Sequence, residues 1–254
     1  MSREIRNYLA RSLGFFVVLE LMLVAAIIWW PSFAENVGAL KRLAAPVPML
    51  GDMLTSIEKI GVSAYVTAQH YFKGCNTLGA AAAVLLAMSA IAGEAHRGTL
   101  ESWMARPVSR TRLLTERFVG GYLALALPIF LTSFTIPWLL TYVDERMPFS
   151  DLVRCAVHES LFLGSIYSIT FLLSAMGSQP LRIAFVMLFF SIFQFAIYMV
   201  KEITHYSLFR LADIETFIEI TTKNRLDWSQ DAPLVATSVA CYGVSLWAFR
   251  RRVP

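Results

Sequence analysis

Residues 79–114 read GAAAAVLLAMSAIAGEAHRGTLESWMARPVSRTRLL, and within this stretch the chain changes from apolar to strongly polar. The first part carries only small and aliphatic side chains apart from one serine, whereas the second carries arginines, a proline and two glycines. An apolar run of this kind is stable in hydrocarbon, where arginine is costly. The change near Gly93 therefore predicts the end of a membrane span and the start of a loop in water.

The rest of the chain repeats this contrast. Of its 254 residues, 57% are hydrophobic and 16% are charged, compared with about 45–50% and about 25% in soluble domains. The apolar residues occur in blocks of about 20, the length that crosses roughly 30 Å of hydrocarbon as a helix. We predict an all-α polytopic membrane protein, one domain over residues 1–254, with six transmembrane helices at about 13–30, 71–92, 119–141, 156–176, 181–200 and 233–249.

Basic residues predict the orientation of these spans. With the N-terminus inside, the inner segments hold twelve of the 22 basic residues and four of the 18 acidic ones, and the outer segments hold ten and thirteen, with Glu20 inside a span. Because positive residues favour the cytoplasmic side, both termini are predicted to be cytoplasmic. The net charge of +4 is thus a topology signal, and no nucleic-acid partner is expected.

The N-terminal segment has an alternative interpretation as a secretory signal. Ser32, Phe33 and Ala34 would then form its cleavage site. An apolar run of about 18 residues is longer than the roughly 7–15 of such a signal, and Trp29 and Trp30 suit a membrane interface. These features favour an uncleaved span.

Two outer segments, 31–70 and 201–230, are too long to be turns. In the first, the apolar residues at positions 50, 53, 54, 57 and 60 share one helix face. In the second, the same periodicity joins Leu208, Leu211, Ile214, Phe217 and Ile218. Each segment predicts an amphipathic helix at the outer membrane surface.

The loop after Gly93 is predicted to contain a short helix at Leu100–Ala105. Gly98 allows a sharp turn, Thr99 is a candidate N-cap, and Pro107 prevents the helix from continuing. Ser109 is a candidate cap for the following helix. Leu100, Trp103 and Met104 recur at helical spacing and give one apolar face, which fits either a lipid surface or a groove on a partner; an ordinary cytosolic loop is the alternative.

The run GEAHRGTLESWMARPVSR closely resembles the cytosolic loop of permease subunits of type-2 ABC exporters, especially the short six-span branch. The matching positions are Gly93-Glu94, Gly98-Thr99-Leu100-Glu101 and Pro107-Val108-Ser109-Arg110. The resemblance implies that this loop is a coupling helix that docks on a separate ATP-binding subunit. Its implied contact residues are Glu94, Gly98, Thr99, Leu100, Glu101, Trp103, Met104 and Arg106, with Leu100, Trp103 and Met104 as apolar anchors.

The same resemblance implies two copies of the permease, two ATPase subunits and surrounding membrane lipid. ATP and Mg are expected on the ATPase, because this chain contains no phosphate loop of the G-x-x-x-x-G-K-[ST] type. Its four histidines are dispersed and no catalytic motif occurs, so neither a metal site nor an enzyme activity is predicted.

Several polar or reactive side chains lie within the predicted spans. Glu20 is a functional-site hypothesis by default, since a carboxylate is costly in hydrocarbon; the alternative is a hydrogen bond inside the bundle. Lys73 and Glu159 either pair with each other or extend separately to the membrane surface. Cys75 and Cys155 are either packing residues or a disulfide pair.

Three functions are compatible with the sequence. The leading one is an exporter permease, and a second is a mechanical relay from the ATPase to a periplasmic or membrane accessory protein, through segments 31–70 and 201–230. An ion-coupled secondary transporter is the third. Such proteins usually carry several intramembrane charges, whereas here only Glu20 qualifies.

Overall fold

The computed structural model describes residues 3–44, 48–105 and 107–252, and these ranges contain helices and no strand. The all-α prediction is confirmed. The α-helices are α1 Arg3–Leu43, α2 Pro48–Ile60, α3 Val62–Val66, α4 Asn76–Ala87, α5 Ala92–His96, α6 Leu100–Met104, α7 Arg110–Leu140, α8 Phe149–Met176, α9 Pro180–Tyr198, α10 Ile214–Lys223 and α11 Trp228–Arg251. A π-helix, Thr67–Cys75, joins α3 to α4, and 3-10 turns lie at Thr141–Val143, Thr204–Tyr206 and Leu208–Ala212.

Five of the described helices are long and apolar enough to cross a membrane: α1, α7, α8, α9 and α11. They agree with five of the six predicted spans, although α1 and α7 extend well beyond them. The chain is therefore a multi-pass membrane protein.

The predicted second span, 71–92, differs from the structure at both ends. Helix α3, the π-helix and α4 follow one another with helical backbone at each junction, so the rod begins at Val62 and ends at Ala87. Hydropathy extended the predicted span through Ala90, Ile91 and Ala92, but these residues lie beyond the end of α4 and are buried by protein. The start was missed because Thr67 and His70, which are polar, face the protein interior.

Helix α8 lies at the centre of the bundle, between α4, α7 and α11. Small residues permit the close packing, since a Cβ atom on Gly79 would overlap Leu163 of α8, and one on Gly121 would overlap Tyr167. The π-helix and α4 run parallel to α8. Tyr71 Oη donates to the Leu152 carbonyl at 3.0 Å, and Ser174 Oγ donates to the Met88 carbonyl at 2.9 Å at the other end.

The predicted amphipathic helix of segment 31–70 corresponds to α2, whereas that of segment 201–230 is confirmed only in part, as α10. Leu208 and Leu211 lie in a separate 3-10 turn, which Asp213 divides from α10.

The apolar faces of α2 and α10 pack on the bundle, and their position at the outer membrane surface stays a prediction. Leu54 and Ile57 of α2 are buried, as are Phe217 and Ile220 of α10. The Phe217 ring stacks on Tyr71 of the π-helix, with 5.3 Å between centroids. The large apolar side chains that remain exposed lie mainly on spanning helices such as α1 and α9, as expected of surfaces that face lipid or another subunit.

Candidate functional site

The loop between the rod that ends at Ala87 and α7 folds as two short helices, α5 and α6, joined by a tight turn. Gly98 has a φ of +67°, a left-handed conformation that glycine adopts without strain. The predicted short helix is confirmed as α6, which begins at Leu100 and ends at Met104. Ser109 caps α7 as predicted, because its side chain accepts a hydrogen bond of 3.2 Å from the Arg112 amide.

Thr99 occupies the N-cap position of α6, but its side chain does not cap the helix. The Thr99 hydroxyl donates instead to the Glu94 carboxylate and lies 3.3 Å from the Glu94 carbonyl. The first turn of α6 is thereby attached to α5.

Glu94 is the acidic centre of this loop. Its Oε1 accepts from Arg97 Nη2 at 2.7 Å and from Arg117 Nη2 at 3.1 Å. Burial alone would raise the pKa of Glu94, but the hydrogen bond from Thr99 and the charges of Arg117 and Arg97 outweigh it and lower that pKa. Glu94 is consequently an anion held by three donors.

Arg117 connects Glu94 of the loop to the spanning helix α7. It belongs to α7, is 7% exposed, and places its guanidinium carbon 4.8 Å from the centroid of the Trp103 ring. A desolvated cation–π contact of this kind contributes about 2 kcal/mol. Glu94, Arg97, Thr99, Trp103 and Arg117 together are called the loop cluster below, and they join α5, α6 and α7.

The apolar face of α6 points into the protein. Leu100 is 6% exposed and Trp103 is 5% exposed, and the Trp103 ring lies 5.9 Å from the buried Phe249 ring of α11. This differs from the prediction that Leu100 and Trp103 face a partner. The reason for Trp103 is that the Arg117 guanidinium of α7 and the Phe249 ring of α11 already cover it. The side chains exposed on α6 are Glu101 and Ser102, with Met104 partly covered.

Ser174 of α8 stabilises the entry into the loop. Its Oγ accepts from the amides of Ile91 and Ala92 at 3.1 and 3.0 Å, satisfying backbone donors at the start of α5 that have no partner within the helix. The loop is thus attached to α8 as well as to α7 and α11.

Residues 250–252 form a further attachment. Arg110, at the start of α7, donates from Nη1 to the carbonyls of Arg250 and Arg252 at 3.0 and 2.8 Å. Arg252 Nη1 in turn donates to the Ala175 carbonyl of α8 at 2.8 Å. These bonds hold the end of α11, and with it Phe249, against the helices that flank the loop.

A polar cavity of about 510 Å³ opens beside the loop cluster. Among the described side chains, Arg11, Arg97 and Arg117 line it together with one acid, Glu94. Arg11 comes from α1 and donates weakly to Ser89 Oγ at 3.3 Å. The cavity therefore presents a surplus of positive charge at the end of the bundle that carries the loop.

The polar side chains predicted within the spans take up different environments. Glu20 is half-buried, and its Oε2 accepts from Thr135 at 3.0 Å, so it hydrogen-bonds inside the bundle. The pairing of Lys73 with Glu159 does not form: Lys73 Nζ lies 3.4 Å from Gln69 Oε1, whereas Glu159 is completely buried.

Two further predictions concern cysteine and metal. Cys75, Cys155 and Cys241 are free thiols, so the packing interpretation of the first two holds. Within residues 3–44, 48–105 and 107–252 no group of histidine, cysteine and acidic side chains has the geometry of a metal site. Arg106 lies outside the described residues, and its role in docking stays a prediction.

Arg117, Phe249 and Ser174 are parts of this site that no sequence pattern predicts. Arg117 follows Glu94 by 23 positions, so no local spacing indicates the pair. In the sequence, Arg117 is one of the basic residues that indicate topology, and Phe249 and Ser174 are ordinary residues of apolar spans. The contacts of all three are purely tertiary.

The comparison with known families agrees with this architecture. A sequence profile described as ABC-2 family transporter protein matches residues 47–245, which include the whole loop and most of the described helices. No curated protein matches the chain. Since the matched region is well over half of the sequence, the chain belongs to the ABC-2 type transporter permease family.

Proposed function

We propose that this chain is the transmembrane subunit of an ABC exporter, and that two copies work with two separate ATPase subunits. The ATPase would bind ATP and Mg and dock on the α5–α6 loop. This chain would contribute the membrane path and the levers that move it, and no catalytic group.

The observation that carries the proposal is the attachment of the loop to three spanning helices. Arg117 joins the loop to α7 through Glu94 and Trp103, Phe249 joins it to α11, and Ser174 joins it to α8. A loop that served only as a connection would not need these buried contacts. Displacement of α6 by a docked protein would therefore be transmitted directly to three spans.

The proposed docking surface is the exposed side of α6. Glu101 and Ser102 are exposed there, and Met104 is partly so; we assign them the direct contacts with the ATPase, together with Arg106. Leu100 and Trp103 then have a different role from the one predicted, since they hold α6 on the permease. The positively charged cavity beside the loop would receive acidic side chains of the partner.

The proposed orientation has both termini and the α5–α6 loop in the cytoplasm of a bacterium, with the inner membrane as the location. The support is the concentration of arginine at this end of the bundle, since Arg11, Arg97, Arg110 and Arg250 all lie there, and cytoplasmic loops favour such residues. Outward movement of substrate is inferred from the resemblance of the loop to those of exporters.

A mechanical relay is the second candidate, favoured by one observation at the opposite end of the bundle. A cavity of about 290 Å³ between α2, α9 and α10 is lined by charges of both signs, among them Asp52, Lys201, Arg210 and Glu215. Such a surface suits an extracytoplasmic protein better than an apolar cargo. Stimulation of ATP hydrolysis by a candidate cargo would favour the exporter, and its absence together with tight binding of a protein partner would favour the relay.

The docking proposal is tested by reversing charge on the exposed side of α6. We expect Glu101→Lys to reduce the ATPase that co-purifies in mild detergent by at least about tenfold, equivalent to about 1.4 kcal/mol, without changing the thermal stability of the permease. The matched control is Glu116→Lys, an exposed acid on α7 whose side chain is 61% exposed and which should have no effect. Equal retention of the ATPase by both variants would refute docking at α6.

A further inference from the structure

The half of the bundle away from the loop contains a carboxyl group that the coupling mechanism does not use. Glu159 of α8 is completely buried, and neither of its oxygens has a hydrogen-bond partner among the described residues. Three other buried oxygens share this property among the described residues: Oδ1 of Asn76, Oγ of Ser160 and Oδ2 of Asp231. The Asp231 carboxyl group is held through its other oxygen, which lies 2.6 Å from His158 Nδ1. Buried polar atoms without partners are rare in folded proteins, so Glu159, Asn76 and Ser160 require an explanation.

The packing of α4 on α8 brings these three residues to one level. The two helices run parallel, and Gly79 lies against Leu163. Counting back along both helices places residue 75 opposite Glu159 and Asn76 opposite Ser160. Electrostatic interaction of Cys75 with Glu159 agrees with this register. Asn76, Glu159 and Ser160 are called the oxygen cluster below.

Within the part of the chain that the structure describes, Glu159 has no compensating ion pair. Titratable groups that interact electrostatically with it include Tyr71 and Cys75 of the π-helix and Cys155, one turn away on α8. No arginine or lysine in the described ranges forms an ion pair with Glu159. An isolated carboxylate in such a place would cost far more than the stability of a domain, so the group is neutralised instead.

The neighbouring histidines do not supply that charge. His158 Nε2 lies 2.7 Å from the Leu211 carbonyl, which can only accept, so this nitrogen carries a proton. His158 Nδ1 lies 2.6 Å from Asp231 Oδ1, and a second proton occupies that contact. His70 faces Thr132 at 3.2 Å and Cys75 at 3.8 Å. Both rings are therefore committed to other partners.

The backbone next to Glu159 is also unusual. The π-helix places His70 and Cys75, five positions apart, in contact across one wide turn. π-helical turns are rare and frequently occur at functional sites. This nine-residue segment supplies two of the titratable groups that face Glu159.

We propose that the oxygen cluster is a proton-binding site, in which Glu159 is a neutral carboxylic acid while α4 and α8 are packed together. The acceptor for the acid's proton is Asn76 Oδ1, an unpartnered oxygen at the same level of the bundle. A neutral carboxylic acid needs no counter-ion, so it can be buried at this position without the cost of an unpaired charge. Any movement that separated α4 from α8 would admit water and release the proton, because a hydrated carboxyl group is ionised at neutral pH.

The direct test is infrared spectroscopy of the purified chain in lipid nanodiscs at neutral pH. A protonated carboxyl group has a carbonyl stretch distinct from that of a carboxylate. We expect the wild-type spectrum to contain a band of this kind that is lost in Glu159→Gln, while the control Glu20→Gln leaves that component intact. An identical spectrum in wild type and Glu159→Gln would overturn the proposal.

A second measurement distinguishes a proton from a bound cation. If Glu159 were ionised and held a monovalent cation, replacing Na⁺ and K⁺ by choline would lower the melting temperature of wild type and not that of Glu159→Gln; that result would overturn the proposal. Should Glu159→Gln not survive extraction, Asn76→Ala serves instead, because loss of the acceptor for the acid's proton shifts the carbonyl band of that acid. An unmoved band in Asn76→Ala would equally contradict the assignment.

Discussion

The two ends of the bundle bury acidic side chains in opposite ways. At the loop end, Glu94 accepts from Arg97, Arg117 and Thr99, and its charge is part of the structure. In the other half, Glu159 has no described partner and is surrounded by packing. Charge pairing holds the loop against α7, whereas no ion pair joins Glu159 to the neighbouring helix among the described residues. This difference is consistent with the proposed roles, in which the loop end transmits movement and the other half responds to it.

The largest expected effect comes from removing the cation that the loop cluster shares. Arg117→Ala leaves Glu94 partly buried without its α7 partner and removes the contact on Trp103, so we expect a loss of about 3–5 kcal/mol in the free energy of unfolding. The midpoint of thermal unfolding in detergent is the measurement. Coupled ATP hydrolysis should be lost as well.

The control for that variant is Arg112→Ala. Arg112 lies on the same helix and pairs with Glu116, but its side chain is 70% exposed, and exposed pairs contribute about 0–1 kcal/mol. If Arg117→Ala were no more damaging than Arg112→Ala, the loop cluster would not be a structural link, and the contrast between the two ends would disappear.

An effect of intermediate size on stability is expected when the pH is lowered and Glu94 becomes protonated. Because the folded-state pKa of Glu94 is lowered, its contribution is fully present above the ordinary carboxyl pKa of about 4.3 and is lost as pH falls through the lowered value. The difference in melting temperature between wild type and Glu94→Gln should therefore be constant near neutral pH and shrink below about pH 4. A difference that grew on acidification would mean that Glu94 is not held as an anion.

The smallest effect is expected at the attachment to α8. Ser174→Ala removes the acceptor for the amides of Ile91 and Ala92, a change similar to loss of a helix cap that costs about 0.5–2 kcal/mol. Hydrogen exchange of the α5 amides, followed by mass spectrometry, should become faster in this variant. Ser102→Ala, on the exposed side of α6, is the matched control and should leave that exchange unchanged.

The sequence alone predicted most of the fold, because the information for it is local. Hydropathy and turn chemistry predicted α6, the Gly98 turn, the Ser109 cap and the two amphipathic outer segments. The second span was misplaced because hydropathy cannot distinguish lipid from buried protein at Ile91, nor anticipate the polar residues that the π-helix turns inward. The apolar pattern was read correctly, but whether a residue contacts lipid or buried protein is not visible in the sequence.

The candidate site was less predictable for a related reason. The motif gave the correct loop, but not the direction in which its apolar face points. That direction depends on Phe249 and Arg117, which reach α6 from distant parts of the sequence. The pairing of Lys73 with Glu159 was equally beyond the sequence. It depends on which side of the rod that contains the π-helix faces α8, and tertiary packing decides that.

The bonds from Arg110 reach main-chain oxygens of residues 250 and 252, and every amino acid has such an oxygen. Point replacements at these two positions should accordingly be tolerated by Arg110, whereas inserting or deleting one residue after Phe249 would move both acceptors out of reach. For protein engineering, the features to preserve when a reporter is fused near residue 252 are therefore the spacing after Phe249 and the Arg252 side chain, which bonds the Ala175 carbonyl.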